Sequence, residues 1–135
     1  MADDIIMNKA EIIENCIRRI HEEYCGNSDN LRHNQTKQDA ILLNIERACQ
    51  AAIDMAMRMV RLRKLGLPKE SREAFDLLVA TGLIDAELCH RMHGLVGFRN
   101  TAIHNYKKLD LDIVEAVIKN HLSDFQALSS ICLKA

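Results

Sequence analysis

The chain has no Trp, two Tyr and three Phe among 135 residues, with one Pro and five Gly. So few rings exclude an aromatic-dominated core and leave burial to Ile, Leu, Met, Val and Ala. So few breakers leave room for long helices, which Leu and Met favour over strands. No apolar run is long enough to span a bilayer. Met1–Asp4 is acidic and lacks a basic segment followed by an apolar one, so no signal peptide is expected. Five cysteines (Cys16, Cys25, Cys49, Cys89 and Cys132) contain no C-x-x-C pair. That odd, scattered set reads as reduced thiols in a cytoplasmic protein, most of them packed as small apolar side chains. The formal net charge is −1, so the surface as a whole is not basic. Any contact with nucleic acid must use local patches.

What is present fits one domain over residues 1–135. A chain of this length buries roughly two-thirds of its unfolded surface. Residues are 48% hydrophobic and 27% charged, a globular balance. Helical periodicity predicts a first helix from about Asp4 to Tyr24, capped by Asp3 or Asp4. Polar Cys25–Asn34 reads as a loop. A second, longest helix is expected from Thr36 to Leu65, with Thr36 and Asp39 as an approximate capping box and Gly66 and Pro68 beyond its end. A short third helix is expected over Ser71–Ala80, with Ser71 as cap and Thr81-Gly82 as stop. A fourth starts near Asp85 and runs towards Ile103, and a fifth covers Leu111–Leu133. No useful period-two stretch and no repeat is visible. The expected class is all-α: an up-and-down helical bundle of about five helices, with apolar stripes broad enough to serve a homodimer.

The segment Phe98–Tyr106 reads F-R-N-T-A-I-H-N-Y. A His can take a proton from a ribose 2′-OH or give one to a leaving 5′-oxygen. An Arg can hold the phosphate and stabilise its developing charge. Arg99 and His104 are therefore the candidate catalytic pair, and RNA is the candidate substrate. Their spacing of five turns them roughly 140° apart on a straight helix. Either the helix ends or bends near Ala102–His104, or the long Arg reaches round. Asn100, four before His104, is placed to orient the imidazole. One His per chain is short of the acid and base that in-line cleavage wants, and a two-fold dimer would supply both. With ten Arg and six His in the chain, the bare spacing is expected about 0.4 times by chance. Its weight comes from the wider pattern R-N-x-x-x-H-x-Y.

That pattern, with the flanking L-V-G-F-R-N-T-A-I-H-N-Y and L-D-L-D-I-V, resembles the HepT family of HEPN-domain toxins, and the resemblance extends over essentially the whole chain. It implies a metal-independent endoribonuclease acting on tRNA or mRNA, in which Arg99 and His104 of two subunits line a shared cleft. It also implies a toxin–antitoxin pair whose other member is a minimal (MNT-family) nucleotidyltransferase. In such pairs the antitoxin is implicated in transferring AMP to the motif tyrosine, here Tyr106. An anionic adduct there would compete with RNA phosphate for Arg99 and His104. A rival reading makes the chain a non-catalytic substrate- or nucleotide-binding subunit of a nucleotidyltransferase.

Other groups have plainer readings beside the functional ones. Tyr106 can pack its ring on the fifth helix and still expose its hydroxyl. Lys107 and Lys108 flank the motif and are candidate RNA contacts. Arg58, Arg61, Arg63 and Lys64 read first as cations at a helix C-terminus and second as phosphate contacts. Cys89, His90 and His93 offer a metal-like spacing, but the sequence supplies no further ligand to complete a site. Neither metal nor cofactor is expected. His21, His33 and His121 read as surface residues.

Overall fold

The computed structural model describes residues 3–104 and 109–135, with side chains for all of them except 102–104. It is all-helical. Among the described residues run α1 (Asp4–Tyr24), α2 (Ser28–Arg32), α3 (Gln35–Leu62), α4 (Ser71–Ala80), α5 (Ala86–His104), α6 (Leu111–Asn120) and α7 (Leu122–Lys134). None of these helices is long and apolar enough to cross a membrane.

The frame is an α1–α3 pair with α7 packed against both. Asp3 starts α1 by accepting from the backbone N–H of Ile5 (3.0 Å) and Ile6 (3.2 Å). Cys25 ends it in a left-handed conformation, φ 48°. The α1 stripe Ile6, Ile13, Cys16, Ile17, Ile20 meets the α3 stripe Ile41, Ile45, Ala48, Ala52, Met55, Met59, with every one of these side chains buried. Two ion pairs stitch the same helices. Arg58 grips Asp3 through Nη2–Oδ2 (2.9 Å) and Nε–Oδ1 (3.1 Å), and Lys9 meets Asp54 at 3.3 Å. The Arg58 guanidinium holds the Asp3 carboxyl down to about 2. Arg58 is thereby committed to anchoring α1.

Four local expectations are corrected. The stretch read as a loop contains α2, one turn whose single apolar residue, Leu31, is fully buried. Asn27 caps it, and Arg32 ties it to α6 through Asp112 (2.6 Å) and Glu115 (3.0 Å). Helix α3 is capped by Asn34, which accepts from Lys37 N–H, rather than by Thr36. Its far end at Leu62 falls short of Leu65, where the chain turns through Lys64 at φ 55°. Helix α4 starts after Glu70, which makes no side-chain cap, so Ser71 is its first helical residue.

The run read as one C-terminal helix breaks at His121, which has neither Gly nor Pro beside it. There His121 Nδ1 pairs with Asp124 Oδ2 at 2.9 Å, and Arg91 of α5 donates to the other oxygen of Asp124 at 2.8 Å. Asp124 is buried, and His121 is half-buried rather than a plain surface residue. Turning at this point lets Val114, Val117 and Ile118 on α6 and Leu122, Phe125 and Leu128 on α7 all reach the core.

Candidate active site

Helix α5 carries the motif. Its buried residues Leu88, Cys89, Met92, Leu95 and Val96 recur at one, four, seven and eight residues from the first, a single stripe that fixes the helix against α3 and α4. The stripe gives out at Phe98, and the last turn and a half presents Arg99, Asn100 and Thr101 at or near the surface. The helix runs as far as His104, so its register sets the Cα atoms of Arg99 and His104 roughly 140° apart around the axis. The His104 side chain, Tyr106, Lys107 and Lys108 lie outside the described residues.

Arg99 is half-buried and held by two uncharged oxygens. Its Nη2 donates to Gln50 Oε1 of α3 at 2.6 Å, and its Nη1 donates to Asn100 Oδ1 at 3.3 Å. Its Nε is buried without a partner. Gln50 is itself oriented, because its Nε2 donates to Asp54 Oδ1 at 2.9 Å and Asp54 pairs with Lys9. The guanidinium is therefore aimed from the α1–α3 frame through the neutral amide of Gln50, itself held by the Asp54–Lys9 ion pair.

Half of the ten arginines are paired, and Arg47, Arg61, Arg63 and Arg72 share with Arg99 the lack of an ion pair among the described residues. Arg19, Arg32, Arg58 and Arg91 each face at least one carboxylate. Among the described residues Arg99 makes no ion pair, so its charge stays available to an anion. An unpaired buried N–H is costly in a finished scaffold and is what a phosphate oxygen would satisfy.

Sequence reasoning missed two members of this neighbourhood. Gln50 sits between Cys49 and Ala51 in the middle of α3, where a lone amide reads as surface. Arg72 lies over Gly97, where its Nη2 is 2.7 Å from the position a Cβ would take. Glu70, Ser71, Arg72, Val96 and Asn100 line a groove of about 230 Å³ beside Arg99. Asn100 was expected to orient His104; its described bond is to Arg99.

The cysteines are free thiols, and all but Cys25 are buried, as expected. Burial pushes Cys49, beneath Arg99, up to about 12, which removes it as a nucleophile. Arg61 and Lys64 line an open, largely apolar groove of about 730 Å³ with Ile5, Met57 and Leu67, well separated in sequence from the motif.

The family model for "Ribonuclease HepT-like" proteins matches residues 13–130. The mRNA nuclease HepT of Shewanella oneidensis is 42% identical over 124 residues, 92% of each chain. The tri-AMPylated HEPN toxin of the same organism, solved in complex with its MNT antitoxin, superposes with a TM-score of 0.93 at 39% identity, covering 98% of this chain and 99% of that one. A toxin–antitoxin complex solved with AMP-PNP gives a TM-score of 0.91 at 39% identity, over 96% of this chain and 98% of that one. On the strength of that match along nearly its whole length, and of an R-N-x-x-x-H-x-Y motif whose Arg, Asn and His lie on α5, the chain belongs to the HepT-like ribonuclease family.

Proposed function

We propose that this chain, as one HEPN domain over residues 1–135, is the toxin of a toxin–antitoxin pair and an endoribonuclease that cuts cellular RNA, with mRNA the first substrate to try. The observation that carries the reading is Arg99: half-buried, aimed by Gln50, and bonded among the described residues only to neutral oxygens, in a member of a ribonuclease family. Arg99 holds the scissile phosphate and stabilises its transition-state charge. His104 moves the proton, from the attacking 2′-OH or to the leaving 5′-oxygen. These two groups supply acid–base and electrostatic catalysis without a metal. Lys107 and Lys108 add phosphate contacts.

A two-fold homodimer completes the site with a second Arg and His. In support, a largely apolar groove of about 320 Å³ runs between α5 and α6, lined by His90, Gly94, Phe98 and Ile113 among others. Ile113 is 53% exposed beside it. The partner in the cell is an MNT-family nucleotidyltransferase that places AMP on Tyr106, where the added phosphate competes with RNA for Arg99. The place of action is the cytoplasm.

Expression without the nucleotidyltransferase tests this. Wild type should arrest growth and degrade RNA. His104→Ala should do neither while remaining folded, and purified wild type should cleave in EDTA. A His104→Ala protein that cuts as fast as wild type removes the mechanism. A harmless wild-type chain favours the binding-subunit alternative. Co-expression with the nucleotidyltransferase should add AMP mass to wild type and not to Tyr106→Phe.

A further inference from the structure

Helices α4 and α5 bring together three side chains that nuclease chemistry does not use. Asp76 lies on α4, and Cys89 and His93 lie one turn apart on α5. Their ligand atoms converge: His93 Nε2 is 2.9 Å from Asp76 Oδ1, Cys89 Sγ is 3.5 Å from His93 Nε2, and Cys89 Sγ is 3.5 Å from Asp76 Oδ1. A fourth electron-rich atom, the Arg72 carbonyl oxygen, stands 3.2 Å from the same Nε2. Among the described residues this is the cluster of three His, Cys, Asp or Glu that could hold a metal ion.

Several electron-rich atoms compete for one ring nitrogen in this corner. A ring nitrogen carries one proton or one lone pair. Nε2 faces a carboxylate oxygen, a carbonyl oxygen and a sulfur, and can serve one of them well. A cation between the three side chains would satisfy them together. Tetrahedral zinc, with bonds of roughly 2.3 Å to sulfur and 2.0 Å to nitrogen or oxygen, sets ligand edges of about 3.5 Å to sulfur and about 3.3 Å between nitrogen and oxygen. Both sulfur edges already have that length, and the nitrogen–oxygen edge needs to open by a few tenths of an ångström.

We propose that Asp76, Cys89 and His93 form a binding site for a thiophilic divalent cation of the zinc class, which clamps α4 to α5. The donor set of one thiolate, one imidazole and one carboxylate selects zinc or cobalt over magnesium or calcium. Three protein ligands leave a fourth position to solvent. Access is open, since the side chains of Asp76 and His93 are 55% and 31% exposed, while Cys89 is buried beneath them. Burial, with Asp76 adding to it, pushes the Cys89 thiol up to about 11, and a bound cation would displace that proton.

The sequence spacing pointed to Cys89, His90 and His93. The fold turns His90 to the exposed side and substitutes Asp76 from another helix. His93 precedes Arg99 by six residues, roughly 9 Å along the axis, so the cation braces the helix and does not touch the scissile phosphate. The site does not depend on the chain being a nuclease.

Titrating the metal-free, full-length protein with cobalt chloride tests it. One equivalent should produce sulfur-to-cobalt charge-transfer absorption, and one equivalent of zinc should abolish it. Cys89→Ala and His93→Ala should remove the band, and Cys25→Ser, which changes the exposed thiol, should keep it. Asp76→Asn alters a surface residue that leaves the core intact, and should weaken cobalt by about tenfold or more. Zinc should raise the melting midpoint of wild type and not of Asp76→Asn. No charge-transfer band in wild type, an unchanged band in Cys89→Ala, or equal affinity in Asp76→Asn would overturn the site. A wild-type midpoint that zinc leaves unmoved would overturn the clamp.

Discussion

The α1–α3–α7 frame and the α4–α5 corner treat their polar atoms differently. In the frame, charged groups that approach the core are paired: Asp3 with Arg58, Lys9 with Asp54. In the corner, Arg99 Nε has no partner among the described residues, His93 Nε2 has several, and α4 begins without a side-chain cap. Close packing and satisfied charges make a scaffold. Unsatisfied groups on its rim are where a ligand has something to gain. The frame nonetheless reaches into the corner, because Gln50 on α3 aims Arg99.

Substitutions can break that contrast. Phe125→Ala, fully buried on α7, should cost about 3–5 kcal/mol of stability by chemical denaturation and leave cleavage per folded molecule near wild type. Arg99→Ala should do the reverse. Cleavage should fall about 10²–10³-fold, in the range of other lost transition-state donors, with stability within about 0.5 kcal/mol of wild type. A strongly destabilised Arg99→Ala would mean that Arg99 belongs to the scaffold. Gln50→Ala should lower cleavage by about tenfold, the worth of one hydrogen bond to a charged group. Unchanged turnover would remove Gln50 as a positioning residue.

Two smaller effects sharpen the comparison. Glu115 is held down from 4.5 to about 2 by the Tyr24 hydroxyl and then by Arg32. A depressed carboxyl contributes stability that is fully present above pH 4.5 and is lost as pH falls towards about 2. Glu115→Gln should therefore unfold in acid with a shallower pH dependence in that window. An unaltered slope would show that the network is idle. Gly97→Ala should gain up to about 1 kcal/mol in helix propensity, less what it costs to swing the flexible end of Arg72 aside. A loss larger than about 1 kcal/mol would mean that Arg72 is pinned over α5.

The frame was legible because its stripes, Ile6 to Ile20 and Ile41 to Met59, repeat at helical spacing and each helix buries one face. The His121 break was not, because no breaker residue marks it; the buried Asp124 and its pairing with Arg91 are tertiary. Helix α2 was hidden for a similar reason, since one Leu among polar residues gives no period. At the site, Arg99 and His104 stood out through the motif. Gln50, Arg72 and Asp76 did not, because each joins the α5 neighbourhood from another helix and sequence distance carries no trace of that.

The ends that the chain leaves on RNA test the Arg99–His104 mechanism most directly. Attack by the 2′-oxygen predicts a 2′,3′-cyclic phosphate, or the monophosphate formed by opening it, on one fragment and a 5′-hydroxyl on the other, in the presence of EDTA. Fragments ending in 3′-hydroxyl and 5′-phosphate, formed only with added divalent metal, would contradict it.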